Sequence, residues 1–213
     1  MKQRKERADG QKTREAILAA AAEEFSAKGF ELGSMRAICA KAGANSALAC
    51  RYFGSKEELY KVVAKRLFGD LGAPLATLAD GVADEATWRA AIRTWIDDFL
   101  YMTLPTERPQ RLCAGLFRQE VTHPTKFHAI FKRDFGACVQ ASLERLIEMA
   151  VADKSEAALW VTSIWSQVAV YALADEKWIE SFRPRALAIP AWRDQIRDFI
   201  CAGIFSRLTY RKD

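Results

Sequence analysis

The sequence has few of the residues that build metal, disulfide or cofactor sites. Its 213 residues include two histidines and five cysteines, the latter at positions 39, 50, 113, 138 and 201 without a Cys-x-x-Cys pair. An odd number of widely spaced cysteines indicates reduced thiols, although a redox-sensing cysteine stays open. His123 and His128 are five residues apart and have no clustered cysteine or carboxylate beside them. We therefore expect no metal site and no cofactor.

Catalytic and membrane-spanning patterns are missing as well. No nucleophile–base pair or glycine-rich phosphate loop is recognisable, and Glu120 near His123 is a thin basis for catalysis, so we predict a protein that is not an enzyme. No run of about 18 apolar residues is present, which argues against a membrane span. The basic start, MKQRKERADGQKTRE, lacks the apolar segment of an export signal. A cytoplasmic location is the expectation.

Positive charge is concentrated in the first third of the chain. Residues 1–66 contain 14 Lys and Arg against 8 Asp and Glu, whereas the other 147 residues contain 18 against 19. A basic segment attached to a neutral one is typical of a phosphate-binding module. A solvated basic surface without a nucleic-acid partner is the alternative.

Hydrophobic spacing predicts helices along nearly the whole chain and almost no strand. From Thr13 apolar residues recur every three to four positions, and Lys28-Gly29 ends this first helix. Ser34 and Asn45 can cap two short helices that follow. Beyond them, longer apolar stretches lie at about 85–103, 109–121, 125–151, 155–180 and 190–210.

A fourth helix is predicted from Ser55, which has the spacing of a capping box with Glu58, to about Leu71. Glycines at 69 and 72 then give the chain places to bend. This helix would link the N-terminal segment to the rest of the chain.

The two short helices, joined by Ala42-Gly43-Ala44, have the size of a helix-turn-helix, in which the second helix enters the major groove of DNA. That second helix contains Arg51 and Tyr52. Arginine reads guanine or neutralises phosphate, and tyrosine donates to phosphate. The alternatives are that Arg51 is a solvated surface residue and that Tyr52 packs between helices.

Three stretches, TREAILAAAAEEFSAKGF, SMRAICAKAGANSA and RYFGSKEELY, make residues 13–71 resemble the DNA-binding domain of the tetracycline-repressor (TetR) family. The resemblance implies an all-α homodimer with a helix-turn-helix domain at 9–71 and a helical bundle at 72–213 that binds an effector and dimerises. It implies a transcription repressor that a small effector releases from double-stranded operator DNA. Activation of transcription in place of repression is the alternative within the same class of function.

The family's DNA contacts can be carried onto this chain position by position. The resemblance assigns them to Ser34, Arg36, Asn45, Ser46, Ala47, Arg51, Tyr52 and Lys56. Two positions depart from the family pattern, because Cys50 stands where many members have a phosphate-contacting tyrosine and Gly33 stands where threonine is frequent. The operator sequence therefore cannot be taken over from a relative.

The C-terminal stretches contain aromatic side chains suited to an apolar or aromatic effector. The expected effector contacts are Trp95, Phe99, Met102, Phe117, Glu120, His123, Phe127, Phe131, Trp165, Gln167 and Tyr171. The alternative for each aromatic side chain is ordinary core packing. Because the stretch at 155–180 is apolar nearly all round, we expect it to be buried on two sides, with a dimer interface that includes Val168 and Ile200.

One alternative from another class is a helical adaptor or a membrane-surface protein, based on the basic start and the amphipathic helices. It leaves the pattern of the second short helix unexplained. Sequence-selective, salt-dependent binding to duplex DNA separates the two hypotheses.

Overall fold

The computed structural model describes residues 2–68, 75–174, 176–182 and 188–211, and these ranges contain helices and no strand. The all-α prediction is confirmed. The helices are α1 Lys2–Leu32, α2 Met35–Lys41, α3 Ser46–Phe53, α4 Lys56–Phe68, α5 Glu85–Thr103, α6 Arg108–Thr122, α7 His128–Phe131, α8 Ala137–Glu148, α9 Lys154–Leu173, α10 Glu176–Phe182 and α11 Ile189–Phe205. Short 3-10 and π segments occupy Leu78–Gly81 and Lys132–Gly136.

Helix α1 is longer than the sequence indicated. It begins at Lys2 and not at Thr13, so the basic start of the chain is helical. Thr13 does not cap a helix, because its hydroxyl donates to the carbonyl of Asp9 one turn earlier, at 2.9 Å. The predicted stop at Gly29 is a break with φ of 73°, after which the chain makes one more turn to Leu32.

The caps of the two short helices are confirmed. The Ser34 hydroxyl accepts from the amide of Ala37 at 3.3 Å, and the Asn45 side chain accepts from the amide of Leu48 at 2.8 Å. Each bond satisfies an amide that a helix start leaves without an intrahelical partner. Short polar side chains at these two positions therefore fix where α2 and α3 begin.

Only one half of the capping box predicted for α4 is formed. The amide of Glu58 donates to the Ser55 hydroxyl at 3.2 Å, while the Glu58 carboxylate accepts from Lys61 at 2.7 Å. Helix α4 runs to Phe68. Its expected end at Leu71, the bends at Gly69 and Gly72 and the domain boundary at 71/72 lie outside the described residues.

Helix α5 forms the centre of the C-terminal bundle. Its Trp88, Trp95 and Phe99 are fully buried. The two indole N–H groups donate to backbone carbonyls of α8, Trp88 to Leu146 at 2.7 Å and Trp95 to Val139 at 3.1 Å. These bonds satisfy buried polar groups and fix α5 against α8.

The long stretch expected at 125–151 is not one helix. It divides into α7, the π segment Lys132–Gly136 and α8. The apolar spacing of the sequence carries no sign of this local change in helical winding. Within the described ranges, no helix is long and apolar enough to cross a membrane.

Helix α6 is the main contact between the bundle and α1. The Ser26 hydroxyl donates to the carbonyl of Leu112 at 2.6 Å, and the Gln119 amide group donates to the carbonyl of Ala27 at 3.1 Å. At Gly115 the two helices approach so closely that an added Cβ would lie 2.8 Å from the Ser26 carbonyl oxygen. The N-terminal helices are thereby held directly against the C-terminal bundle.

Candidate DNA-binding surface and effector cleft

The turn between α2 and α3 brings the two short helices into a helix-turn-helix arrangement. The amide of Ala44 donates to the carbonyl of Cys39 at 2.9 Å, and Gly43 adopts a φ of 62°. A left-handed conformation of this kind favours glycine, which explains the Ala-Gly-Ala sequence. Buried Ile38 and Ala49 face the core from α2 and α3.

The other face of these helices presents most of the predicted DNA contacts. The exposed side chains are Arg36, Asn45, Ser46, Ala47 and Arg51. Ser34, Tyr52 and Lys56 are half-buried. All eight residues lie on α2, on α3, at the N-caps of these two helices or in the first turn of α4.

Two aromatic contacts hold basic side chains at the edge of this surface. The Arg51 guanidinium lies 5.5 Å from the centre of the Tyr52 ring. Lys56 donates to the carbonyl of Glu31 at 3.1 Å, and its ammonium lies 4.6 Å from the centre of the Phe30 ring. Such cation–π contacts restrict flexible side chains without neutralising their charge. The positive charge therefore stays available for phosphate.

Cys50, which stands where many family members have a tyrosine, is exposed. Cys50 lies on α3, whereas Cys39, Cys113 and Cys201 are buried. Burial raises the pKa of Cys201 to about 11, with smaller opposing contributions from nearby charges. These three thiols behave as small core residues.

The sequence of the helix-turn-helix is similar to that of a known protein family. Residues 17–63, which span the second half of α1, all of α2 and α3 and most of α4, match the sequence model of bacterial regulatory proteins of the tetR family. This part of the chain belongs to the tetR family. The chain is thus a transcriptional regulator. No curated protein matches the chain in sequence.

Solved structures of bacterial regulators are similar in fold to nearly the whole chain. A TetR-like regulator from Rhodococcus sp. RHA1 is 19% identical, with a TM-score of 0.59 over 92% of this chain and 97% of that one. FadR from Bacillus subtilis in complex with stearoyl-CoA is 13% identical, with a TM-score of 0.62 over 90% and 99%. A putative fatty acid metabolism regulator from Clostridium perfringens is 18% identical, with a TM-score of 0.59 over 89% and 98%.

Several of the predicted effector residues form one aromatic cluster in the C-terminal bundle. The Trp95 and Phe99 rings stack with centres 5.4 Å apart, and Trp165 lies 4.7 Å from Phe99. Phe117 lies 6.5 Å from Phe99 and 5.5 Å from Phe131. Trp95 and Phe99 are fully buried and belong to the core, so the outer members of the cluster are the ones that reach open space.

A cleft of about 440 Å³ opens on the outer side of this cluster, between α6, the π segment, α8 and α9. We call it the aromatic cleft. Three of the side chains expected to contact an effector, Phe117, Phe131 and Trp165, line it. Its other lining residues are Val121, His128, Lys132, Gly136, Ala137, Gln140, Ala141 and Glu144. Apolar spacing does not single out these residues, and it does not reveal the π segment to which Lys132 and Gly136 belong.

The structure places the remaining predicted effector residues away from the aromatic cleft. Met102 is buried on α5, and Phe127 packs on Phe30 with ring centres 4.8 Å apart. His123 and Gln167 are exposed. The two others are Glu120, which is buried against Tyr60, and Tyr171, which packs on Trp192.

The dimer positions expected from the sequence are corrected by the structure. Val168 and Ile200 are buried inside the protomer, so they cannot form an interface. The outward side of α9 and α11 instead exposes Leu159 (69%), Val170 (40%) and Phe199 (75%). We call this the α9–α11 face. In a helix that is apolar nearly all round, the sequence alone does not distinguish its inner side from its outer side.

Proposed function

We propose that this tetR-family regulator is a homodimeric repressor that an apolar or aromatic effector, bound in the aromatic cleft, releases from operator DNA. The proposal rests on the family-matched helix-turn-helix, in which five of the eight predicted DNA contacts are exposed. The excess positive charge of residues 1–66 supports binding to phosphate along the same part of the chain.

A homodimer is supported by the α9–α11 face. Apolar side chains as exposed as Phe199 and Leu159 on neighbouring helices favour burial against another surface. A second copy related by a two-fold axis would cover both and form a four-helix interface. It would also place two α3 helices against half-sites about one turn of DNA apart.

The chemistry of the aromatic cleft supports an apolar or aromatic effector. Its volume, about 440 Å³, falls in the range of small-molecule sites, and three aromatic rings form its inner wall. The Bacillus subtilis FadR structure, similar in fold, contains stearoyl-CoA. Lys132, Gln140 and Glu144 supply polar groups at the same cleft to orient a ligand.

A short chain of contacts connects the aromatic cleft with the DNA-binding helices. His128 lines the cleft, and its Nδ1 lies 3.0 Å from the backbone carbonyl oxygen of Glu120. The Glu120 carboxylate accepts a hydrogen bond from Tyr60 of α4. An effector that prefers a different position of α7 would therefore shift α4 and with it the spacing of the two α3 helices.

DNA binding is tested by a mobility-shift titration with the DNA upstream of the gene and a scrambled duplex of equal length. We expect selective binding that Ala47→Glu abolishes, because the exposed carboxylate would face phosphate. A carboxylate in the first turn of α3 favours the helix, so folding should be retained. Ala90→Glu, exposed on α5, is the control. Equal binding to both duplexes would contradict the proposal.

Repression is tested separately with a reporter gene placed behind the same DNA. Deleting the regulator should raise reporter expression, and supplying Ala47→Glu should not lower it again. A fall in expression on deletion would identify the protein as an activator.

A further inference from the structure

A second cleft, of about 190 Å³, lies on the other side of α6. The end of α5, the last turn of α9, α10 and the start of α11 complete its wall, and it shares no lining residue with the aromatic cleft. Leu104, Ile179 and Ile189 contribute apolar surface, while Arg111 and Arg118 contribute positive charge. We call it the arginine cleft.

Arg118 occupies an unusual position in this wall. Its side chain is half-buried, and one guanidinium nitrogen donates to the backbone carbonyl of Ala174 at 3.0 Å. Among the described residues no carboxylate lies within ion-pair distance of it, although many other arginines of the chain have such a partner. A guanidinium has five donors and is costly to desolvate without acceptors, so Arg118 favours an oxyanion in the cleft.

The other polar groups of the cleft agree with an anionic ligand. Arg111 and Tyr171 also line the cleft, and a tyrosine hydroxyl can donate to an anion. Burial raises the pKa of Tyr171, so the hydroxyl keeps its proton near neutral pH. Glu180, exposed on α10, is the acidic side chain among the described lining residues.

We propose that the arginine cleft binds a small apolar carboxylic acid. The carboxylate pairs with the planar fork of Arg118, and the hydrocarbon body lies on Leu104, Ile179 and Ile189. A protein cavity of about 150 Å³ holds benzene, so the arginine cleft has room for an aromatic ring or a short chain with its acid group. The arginine cleft is separate from the aromatic cleft, so this proposal does not require that an effector binds in the aromatic cleft.

The position of the arginine cleft gives its ligand access to the contact between the two parts of the chain. Gly115 lines the cleft from α6 and packs directly against Ser26 of α1. A carboxylic acid bound there touches the segment of α6 that holds the DNA-binding helices.

The site is tested with benzoate as the probe, using calorimetric titration and thermal unfolding of the full chain. We expect benzoate to bind and to raise the unfolding temperature, while benzyl alcohol, of similar size but uncharged, and inorganic phosphate, charged but without an apolar body, do not. Because charge-assisted hydrogen bonds are lost, Arg118→Gln should weaken benzoate at least about tenfold.

Two further variants keep the test independent of any folding defect in Arg118→Gln. Ala114→Leu fills the cleft and leaves both arginines, and it should also abolish benzoate binding. Glu180→Gln removes the negative charge and should retain or tighten binding. Equal binding of benzoate and benzyl alcohol, protection by phosphate alone, or benzoate binding that survives Ala114→Leu would overturn the proposal. None of these outcomes depends on DNA binding.

Discussion

The hydroxyl of Tyr60 on α4 donates a hydrogen bond to the carboxylate of Glu120 on α6. Glu120 is only 1% exposed, and its oxygens accept further bonds from the Thr125 hydroxyl at 2.9 Å and 3.1 Å. Among the described residues, the donors to this buried carboxylate are uncharged, and Tyr60 is the one on the N-terminal helices. The pair is therefore a polar contact through which the bundle holds α4.

Removing the Tyr60 hydroxyl should destabilise the folded chain. Tyr60→Phe keeps the ring, whose centre lies 5.0 Å from the centre of the Phe25 ring and 4.9 Å from that of Phe127. It leaves the Glu120 carboxylate with one hydrogen-bond donor fewer. The free energy of unfolding should fall by about 1–3 kcal/mol, measured by urea denaturation at neutral pH. A change too small to measure would mean that the bond contributes nothing to stability.

The same hydroxyl should make stability fall in alkali. Burial, and then the hydrogen bond to Glu120, raises the pKa of Tyr60 above its ordinary value of 10.0. The unfolded chain then loses this proton at lower pH than the folded one. The stabilisation is complete below the ordinary pKa and is lost as pH rises beyond it. Between about pH 9 and about pH 11, wild type should lose more stability than Tyr60→Phe.

Because α1 and α6 approach each other closely at Gly115, even an alanine side chain at this position should destabilise the folded chain. In Gly115→Ala the new Cβ would lie 2.8 Å from the Ser26 carbonyl oxygen and 3.1 Å from its Cβ, so two helices must shift. Overpacking of this kind lowers the free energy of unfolding by about 1–3 kcal/mol.

Gly136→Ala is the matched control for that change, because its Cβ would meet only the Lys132 Cγ at 3.9 Å. Alanine in place of a helical glycine should leave stability unchanged or raise it by up to about 1 kcal/mol. Equal stability of the two variants would show that the α1–α6 contact tolerates separation.

Local chemistry explains which parts of the fold could be predicted from the sequence. Ser34, Asn45 and Gly43 specify caps and a turn within a few residues, so the limits of α2 and α3 follow from the sequence alone. The family resemblance then places the DNA-contact positions on a face that the structure exposes.

Other features depend on distant contacts that apolar spacing does not encode. The bond between Tyr60 and Glu120 joins residues 60 positions apart. The inward side of α9 is decided by packing on α5, which buries Val168 and leaves Val170 outside. The aromatic cleft depends on the π segment, which no periodicity indicated.

The proposed dimer predicts that a charge at the α9–α11 face gives monomers. Phe199→Asp should halve the mass measured by sedimentation without lowering protomer stability, because the side chain is already 75% exposed. Leu32→Asp, at 78% exposure but outside this face, should remain dimeric. A dimer that survives Phe199→Asp would place the interface elsewhere.

Filling the aromatic cleft should exclude an uncharged aromatic ligand. Ala141 is exposed and lines the cleft from α8, so Ala141→Leu reduces its volume without disturbing the core. Binding of the dye N-phenyl-1-naphthylamine, followed by fluorescence, should weaken at least about tenfold. Ala90→Leu on α5 should bind as wild type does. Unchanged affinity in Ala141→Leu would exclude this cleft as the site.

The position of Arg51 predicts which part of DNA it contacts. Base edges are read mainly from the N-terminal residues of a recognition helix, whereas Arg51 lies in the last turn of α3. We therefore expect a phosphate contact, two per dimer. In Arg51→Ala the slope of log affinity against log salt should become less steep by about 1.8, and relative affinities for different duplexes should persist. Arg207→Ala, exposed after α11, should keep the wild-type slope. A preserved slope with lost discrimination at one base pair would show instead that Arg51 reads guanine.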